Sequence, residues 1–451
     1  MKLNVKLLGL VLLVMAFSCL DNIVWAQCSS VKSEKTKFVY PKDWSEKLSR
    51  IAIPNVDQIE RVKPGQKPSV KSLRKTEYIV QPQKHEVTGH SYVILTDHND
   101  KAFLKSIEKL AEFRNAIVIK TNDLALLYTN AKEMSKLKKK LLKRDAKFVA
   151  IAPKIESYRE NMLLGVFEVL TGLDEDIQLD VYPGIIMAST AEAFAELIDR
   201  TIKYKPQGRA SFAPLASCMI PNKREQRSLQ KNGILNNWFV ENNFQPTMFN
   251  LYGAKAKGGP VLSGDNTFTM DLKPKQFVKQ LSGDMTDALQ HASLLVLHGH
   301  GLPGVSCGVD IDALPKQLNT DVILCGSCFS ASVQNSDLIA MKKSPDGYPI
   351  VPRKAFAIEA IDNGATVVMG HMRLNQGFPR LFPVLETFMT GGTVGEAYQD
   401  LINASLESGN FNSKELAARV QPENPRRIKQ NTLLYVLFGD PALHPFQKLI
   451  Q

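Results

Sequence analysis

The chain has 451 residues, room for two lobes or a large α/β domain with an appended segment and a sizeable core. Hydrophobic residues at 44% and charged residues at 22% are ordinary globular values and exclude global disorder. The formal net charge of +11 invites a nucleic-acid reading, but the excess sits in Val31 to Lys84 and Lys132 to Lys147, and the second stretch interleaves Leu137, Leu141 and Leu142 with its lysines like a solvated helix face, so no nucleic-acid partner is expected.

The amino terminus carries Lys2 and Lys6, an apolar run from Leu7 to about Leu20, and small residues at Val24 and Ala26 before Gln27. That is the pattern of a signal peptide over residues 1–26, with a run too short to span a membrane comfortably. The mature chain is therefore expected to be exported (secreted, periplasmic or at the cell surface), with no transmembrane span. A rival reading makes Cys19, preceded by the small Ser18, the lipidated first residue of a lipoprotein. Cys19 and Cys28 lie at or beside this region. The remaining Cys218, Cys307, Cys325 and Cys328 are too few to staple a chain of this length.

Residues 27–88 are polar and basic, with Pro41, Pro54, Pro64 and Pro68 and little periodicity, as in an extended lead-in or pro-segment. A first α/β lobe is expected over residues 89–206. Ser91 to Thr96 reads as a buried strand, and Phe103, Ile107, Leu110 and Ala111 fall on one helical face. Ile117 to Lys120 and Phe148 to Ala152 are two more strands, separated by the basic helix. Ser189 and Glu192 form a capping-box pattern ahead of a helix with the apolar stripe Phe194, Leu197, Ile198 and Ile202. A second lobe, residues 207–446, has strands at Leu294 to Leu297, Val322 to Leu324 and Ala365 to Met369. Strands alternating with helices predict an α/β fold with parallel, doubly wound sheets in two lobes flanked by helices.

Two of these strands end in reactive residues. Leu294 to Leu297 runs into His298-Gly299-His300-Gly301, and Val322 to Leu324 runs into Cys325-Gly326-Ser327-Cys328-Phe329-Ser330. Sites in open parallel sheets form beyond the carboxyl ends of strands, so neighbouring strands would bring a histidine and a cysteine together there. An imidazole that accepts the thiol proton generates the thiolate nucleophile. A glycine after the histidine leaves its N–H approachable as an oxyanion donor. The same residues also allow a thioredoxin-like redox pair, Cys325 and Cys328, or half a zinc site with His298 and His300, although no second ligand pair has the spacing a zinc site needs.

The strand ending in Gly299-His300-Gly301 and the strand ending in Ser327-Cys328-Phe329-Ser330 resemble the catalytic pattern of the caspase-like cysteine peptidases, and within them the chain most resembles the gingipain family. Asp180-Val181-Tyr182-Pro183-Gly184-Ile185, the helix ending in Thr201-Ile202-Lys203-Tyr204, Asn375-Gln376-Gly377-Phe378, and Phe438-Gly439-Asp440-Pro441-Ala442-Leu443 add to the likeness, which extends over roughly Ser91 to Pro445. The resemblance implies a caspase-like fold and a cysteine endopeptidase acting on protein or peptide substrates. Cys328 is then the nucleophile, His300 the general base, Gly301 an oxyanion donor and Phe378 a wall of the substrate pocket. Cys325 and His298 become neighbours of the site, and no cofactor is required for catalysis.

Gingipains select Arg or Lys through an acidic pocket residue, which implies cleavage after a basic residue here. Asp174, Glu175, Asp176 and Asp180 form one acidic stretch that fits such a pocket, a structural calcium site or a solvated loop. Asp310 and Asp312 are further candidates. Two other functions remain open: a noncatalytic caspase-like binding or signalling protein, and a thiol-disulfide oxidoreductase using the Cys325/Cys328 pair.

Overall fold

The computed structural model describes residues 92–174, 178–220, 235, 238–252, 260–261, 267–269, 283–299, 301–302, 304–307, 309–332, 355–372, 381–407 and 433–450. The expected signal peptide and basic lead-in, Cys19 included, lie outside these residues.

The first half alternates strands and helices. Strand β1 (Tyr92–Thr96) is followed by helix α1 (Lys101–Arg114), β2 (Ile117–Lys120), α2 (Ala131–Lys143), β3 (Phe148–Ala152), α3 (Glu160–Leu170), β4 (Tyr182–Ile185) and α4 (Ala191–Lys203). The local chemistry sets the helix ends. Asp100 accepts the N–H groups of Ala102 (2.8 Å) and Phe103 (3.3 Å) at the start of α1, and Asn115, at φ 48°, closes it in the left-handed conformation that asparagine tolerates. Helix α4 is capped by Thr190, whose hydroxyl accepts the Ala193 N–H at 3.2 Å. The cap is thus one residue later than the Ser189 box predicts, and the Ser189 N–H goes to the Asp362 carboxylate at 3.0 Å.

The second half contributes β5 (Pro214–Ile220), β6 (Thr247–Tyr252), β7 (Pro260–Val261), β8 (Thr267–Thr269), α5 (Gly283–His291) and β9 (Leu294–His298). There follow β10 (Gly301–Leu302), β11 (Val305–Ser306), β12 (Val309–Asp310), β13 (Val322–Gly326), α6 (Phe356–Asp362), β14 (Val367–His371), α7 (Phe382–Met389), α8 (Val394–Glu407) and β15 (Tyr435–Phe438). All six strands predicted from hydropathy are present, β14 two residues later than expected.

Twelve strands form one mostly parallel sheet in the order β2-β1-β3-β4-β15-β14-β13-β9-β5-β6-β8-β7, so the two expected strand sets join edge to edge in a single sheet. The junction is β15, the last strand in the chain, inserted between β4 and β14. It runs parallel to β4 and antiparallel to β14, with Phe438 opposite both Ile185 and Val368. The strands on its two sides therefore point in opposite directions. The carboxyl ends of β9, β13 and β14 consequently share one edge of the sheet with the amino end of β4.

Strands β1, β3, β9 and β14 are buried along their whole length, as expected of parallel strands covered on both faces. The loop after β15 ties the molecule together. Asp440 is buried, accepting two hydrogen bonds from Arg114 of α1 (2.8 and 2.5 Å) and one each from the Tyr92 hydroxyl (2.7 Å) and the Ala442 N–H (3.0 Å). Gly439, at φ 138°, passes so close to Gly184 that a Cβ on Gly184 would lie 2.5 Å from its carbonyl oxygen. The Gly-Asp-Pro-Ala-Leu motif is therefore a structural clasp between the first and last strands.

Candidate active site

Strands β9 and β13 are adjacent and parallel, with Leu297 opposite Cys325 and His298 opposite Gly326. Both chain segments that carry the predicted chemistry thus leave the sheet side by side. Beyond β13 the chain turns at Ser327 and Cys328, and Cys328 keeps 7% of its surface exposed. His300 and Phe378 lie outside the described residues.

Gly301 packs directly on this turn. A Cβ there would overlap the Cys328 carbonyl oxygen and stand 2.8 Å from the Ser327 Cβ and 2.9 Å from the Val305 carbonyl oxygen. Only glycine fits without displacing the turn that carries Cys328. The small antiparallel sheet β10-β11-β12 is fastened to the same turn through Ser327, whose hydroxyl oxygen accepts hydrogen bonds from the Ser306 hydroxyl and the Cys307 N–H, both at 2.9 Å. Cys307 itself adopts a left-handed φ of 52° and donates its thiol to the His298 carbonyl at 3.0 Å.

The residues after Cys328 are held with equal care. Phe329 has φ 56°, an uncommon conformation for an aromatic residue and one that persists only where the surroundings impose it. The Ser330 hydroxyl donates to the Ser327 carbonyl and accepts the His371 N–H, each at 3.0 Å, and the Ser330 carbonyl accepts the Ala357 N–H at 2.9 Å. The Ala331 N–H reaches the His371 carbonyl at 2.8 Å, and the Tyr158 hydroxyl donates to the Ala331 carbonyl at 2.8 Å. The turn is therefore anchored to β14, to α6 and to the loop before α3.

Both cysteines of the Cys-x-x-Cys pair are buried. Cys325 is a fully buried thiol at the end of β13, and burial pushes its pKa up to about 12, with hydrogen bonds to Ser306 and Ser330 pulling part of the way back. It stays protonated at neutral pH, so it is not placed to be an attacking thiolate. His298 is buried at the end of β9. Among the described residues no group of three or more His, Cys, Asp or Glu side chains is placed to hold a metal ion.

His371 is a residue that the sequence reading misses. It ends β14, is buried against Tyr435 with ring centroids 4.5 Å apart, and desolvation lowers its pKa to about 3, so it is neutral. Its peptide N–H and carbonyl are both bonded to the turn that carries Cys328, at Ser330 and Ala331. No local pattern in the sequence marks it, and Gly370 before it is needed because a Cβ there would stand 2.6 Å from the Ser330 hydroxyl.

Of the acidic candidates, Asp180 accepts the Leu173 N–H at 2.9 Å, and its own N–H reaches the Leu170 carbonyl at 3.1 Å, closing the loop after α3. Asp174 and Asp312 are exposed, Asp310 lies in β12, and Glu175 and Asp176 are outside the described residues. Because β4 runs opposite to β13, Asp180 stands on the same sheet edge as Cys328, three strand spacings or roughly 14 Å along it. Met369 is wholly buried in β14 and belongs to the core.

No family model matches the chain, and no curated protein matches it. Among solved structures it is similar to two separase–securin complexes from Saccharomyces cerevisiae. One shares 13% identity at a TM-score of 0.37 and the other 10% at 0.33. In both, the match covers 65% of this chain, which spans only 15% of the length of that one. A D-lactate dehydrogenase from Salmonella follows at 9% identity and a TM-score of 0.15, over 56% of this chain and 74% of that one. Scores this low do not establish a shared fold. No described helix is long and apolar enough to cross a membrane.

Proposed function

We propose that the protein is an exported cysteine endopeptidase of caspase-like, gingipain-type architecture, with Cys328 as nucleophile and His300 as general base. The observation that carries this reading is the adjacency of β9 and β13 together with the packing of Gly301 on the Cys328 peptide. His300 is the chain neighbour of Gly301, and consecutive Cα atoms are only about 3.8 Å apart.

In the proposed reaction the His300 imidazole accepts the Cys328 proton, and the thiolate attacks the scissile carbonyl carbon. The carbonyl oxygen takes up the electron pair and is met by the N–H groups of Gly301 and Cys328. As the tetrahedral intermediate collapses, the C–N bond breaks and His300 returns the proton to the leaving amine. Water, deprotonated by the same ring, then hydrolyses the thioester and releases the free enzyme. The Ser327 and Ser330 hydrogen bonds fix the sulfur-bearing turn, so that little reorganisation accompanies attack.

The oxidoreductase reading has less support, since the buried Cys325 thiol is held protonated and could not be the attacking thiolate of such a pair. Cleavage after Arg or Lys draws its support from the gingipain resemblance and from Asp180, which stands on the same sheet edge as Cys328. A thiol-directed peptidyl inhibitor with a basic leading residue is expected to label the protein stoichiometrically and to leave Cys328→Ala unlabelled. Labelling that persists in Cys328→Ala and disappears in Cys325→Ser would sink this reading.

A further inference from the structure

The basic helix α2 is unusual in how completely its charge faces outward. Leu137 and Leu141 are buried and Met134 is partly buried, so the helix rests on α3 and on the 3-10 turn Leu127–Thr129. Helical spacing then puts Lys132, Lys136, Lys139 and Lys143 on the opposite ridge, at steps of four, three and four residues and within an arc of roughly 60°. All four are exposed, and the ridge is about 16 Å long at 1.5 Å per residue.

Among the described residues little neutralises this ridge. Between Ala131 and Lys147 eight basic residues face two carboxylates, a surplus of six out of the chain's net +11. Glu133 pairs with Lys136 at 2.6 Å, Asp145 with Lys147 at 3.7 Å, and Lys138 donates to the Gly172 carbonyl. Among the described residues Lys132, Lys139, Lys140, Lys143 and Arg144 form no ion pair. Leu142 stands beside the lysine ridge with 51% of its surface exposed, on a helix whose apolar face is already filled.

The geometry points to α2 as a docking surface for an anionic lipid bilayer. A straight convex ridge offers all its ammonium groups to a plane at once. An exposed leucine at its flank gains from the acyl boundary of a membrane and nothing from a soluble polyanion. Each lysine brought close to an anionic leaflet strengthens partition about fivefold.

The full chain is tested by co-sedimentation with vesicles of phosphatidylcholine alone and of phosphatidylcholine mixed with phosphatidylglycerol. Preferential binding to the anionic vesicles, lost at high salt, is expected, with Lys139→Gln/Lys143→Gln weakening it roughly 30-fold. These side chains are exposed, so the fold is unaffected, and circular dichroism checks it. Leu142→Ser is expected to weaken vesicle binding while leaving retention on a heparin column unchanged. Binding indifferent to lipid charge, or a double-lysine variant that binds as well as the unaltered chain, overturns the proposal. So does a Leu142→Ser protein with undiminished vesicle binding, which would point to a soluble polyanion.

Discussion

Ser327 illustrates how much of the candidate site rests on single polar atoms. Its hydroxyl receives both the Ser306 hydroxyl and the Cys307 N–H inside a fully buried pocket. Ser327→Ala leaves both donors without that acceptor, and a stability loss of about 1–3 kcal/mol is expected in urea unfolding. An unchanged midpoint would show that the hairpin is not held there. The reactive end of this site was legible in the sequence, because a strand running into Gly-His-Gly and another into Ser-Cys-Phe-Ser are local patterns. Its supports were not. Ser306, Ser330 and His371 act through peptide groups and hydroxyls that meet only when three strands line up, and nothing in their own neighbourhoods announces the meeting. The complete burial that raises the Cys325 pKa was equally hidden, since no local pattern reports it.

At the scale of elements, periodicity found strands β1, β2, β3, β9, β13 and β14, where apolar runs are bounded by turns. It left β5 and β15 unassigned, and β15 could not have been placed by any local rule. Its position between β4 and β14 depends on pairings across most of the chain. The clasp formed by Asp440 fixes it there. Arg114 is largely covered and Asp440 wholly so, and Asp440→Ala strands a guanidinium and a tyrosine hydroxyl. The expected cost is about 3–5 kcal/mol, read as a lowered denaturation midpoint. A loss below about 1 kcal/mol, the range of exposed pairs, would mean that the clasp does not join the first and last strands.

The whole molecule carries its pH dependence in buried groups. Asp321 lies at the start of β13, the end remote from Cys328, where desolvation raises its pKa from 3.8 to about 7 and a hydrogen bond with Tyr204 opposes part of that rise. Between these values the unfolded chain releases a proton that the folded chain keeps. Stability therefore falls as pH rises from about 4 to about 7 and is level above, by about 4 kcal/mol for this group alone. His371 acts in the other direction: with its pKa lowered from 6.5 to about 3, it removes stability as pH falls through that interval. Subtracting the unfolding profile of Asp321→Asn from that of the unaltered protein isolates the first effect. The difference is expected to develop between pH 4 and pH 7, and a flat difference would show that Asp321 ionises as freely as in the unfolded chain.

Hydrolysis of a peptide with a basic residue before the scissile bond, measured as kcat/KM for the unaltered protein and for Cys328→Ala, His300→Ala and His298→Ala, tests the proposed dyad most directly. Turnover should vanish in Cys328→Ala, fall about 10²–10⁴-fold in His300→Ala, and change only a few-fold per folded molecule in His298→Ala. Hydrolysis that survives in purified Cys328→Ala, or a greater loss in His298→Ala than in His300→Ala, would contradict the assignment of Cys328 and His300.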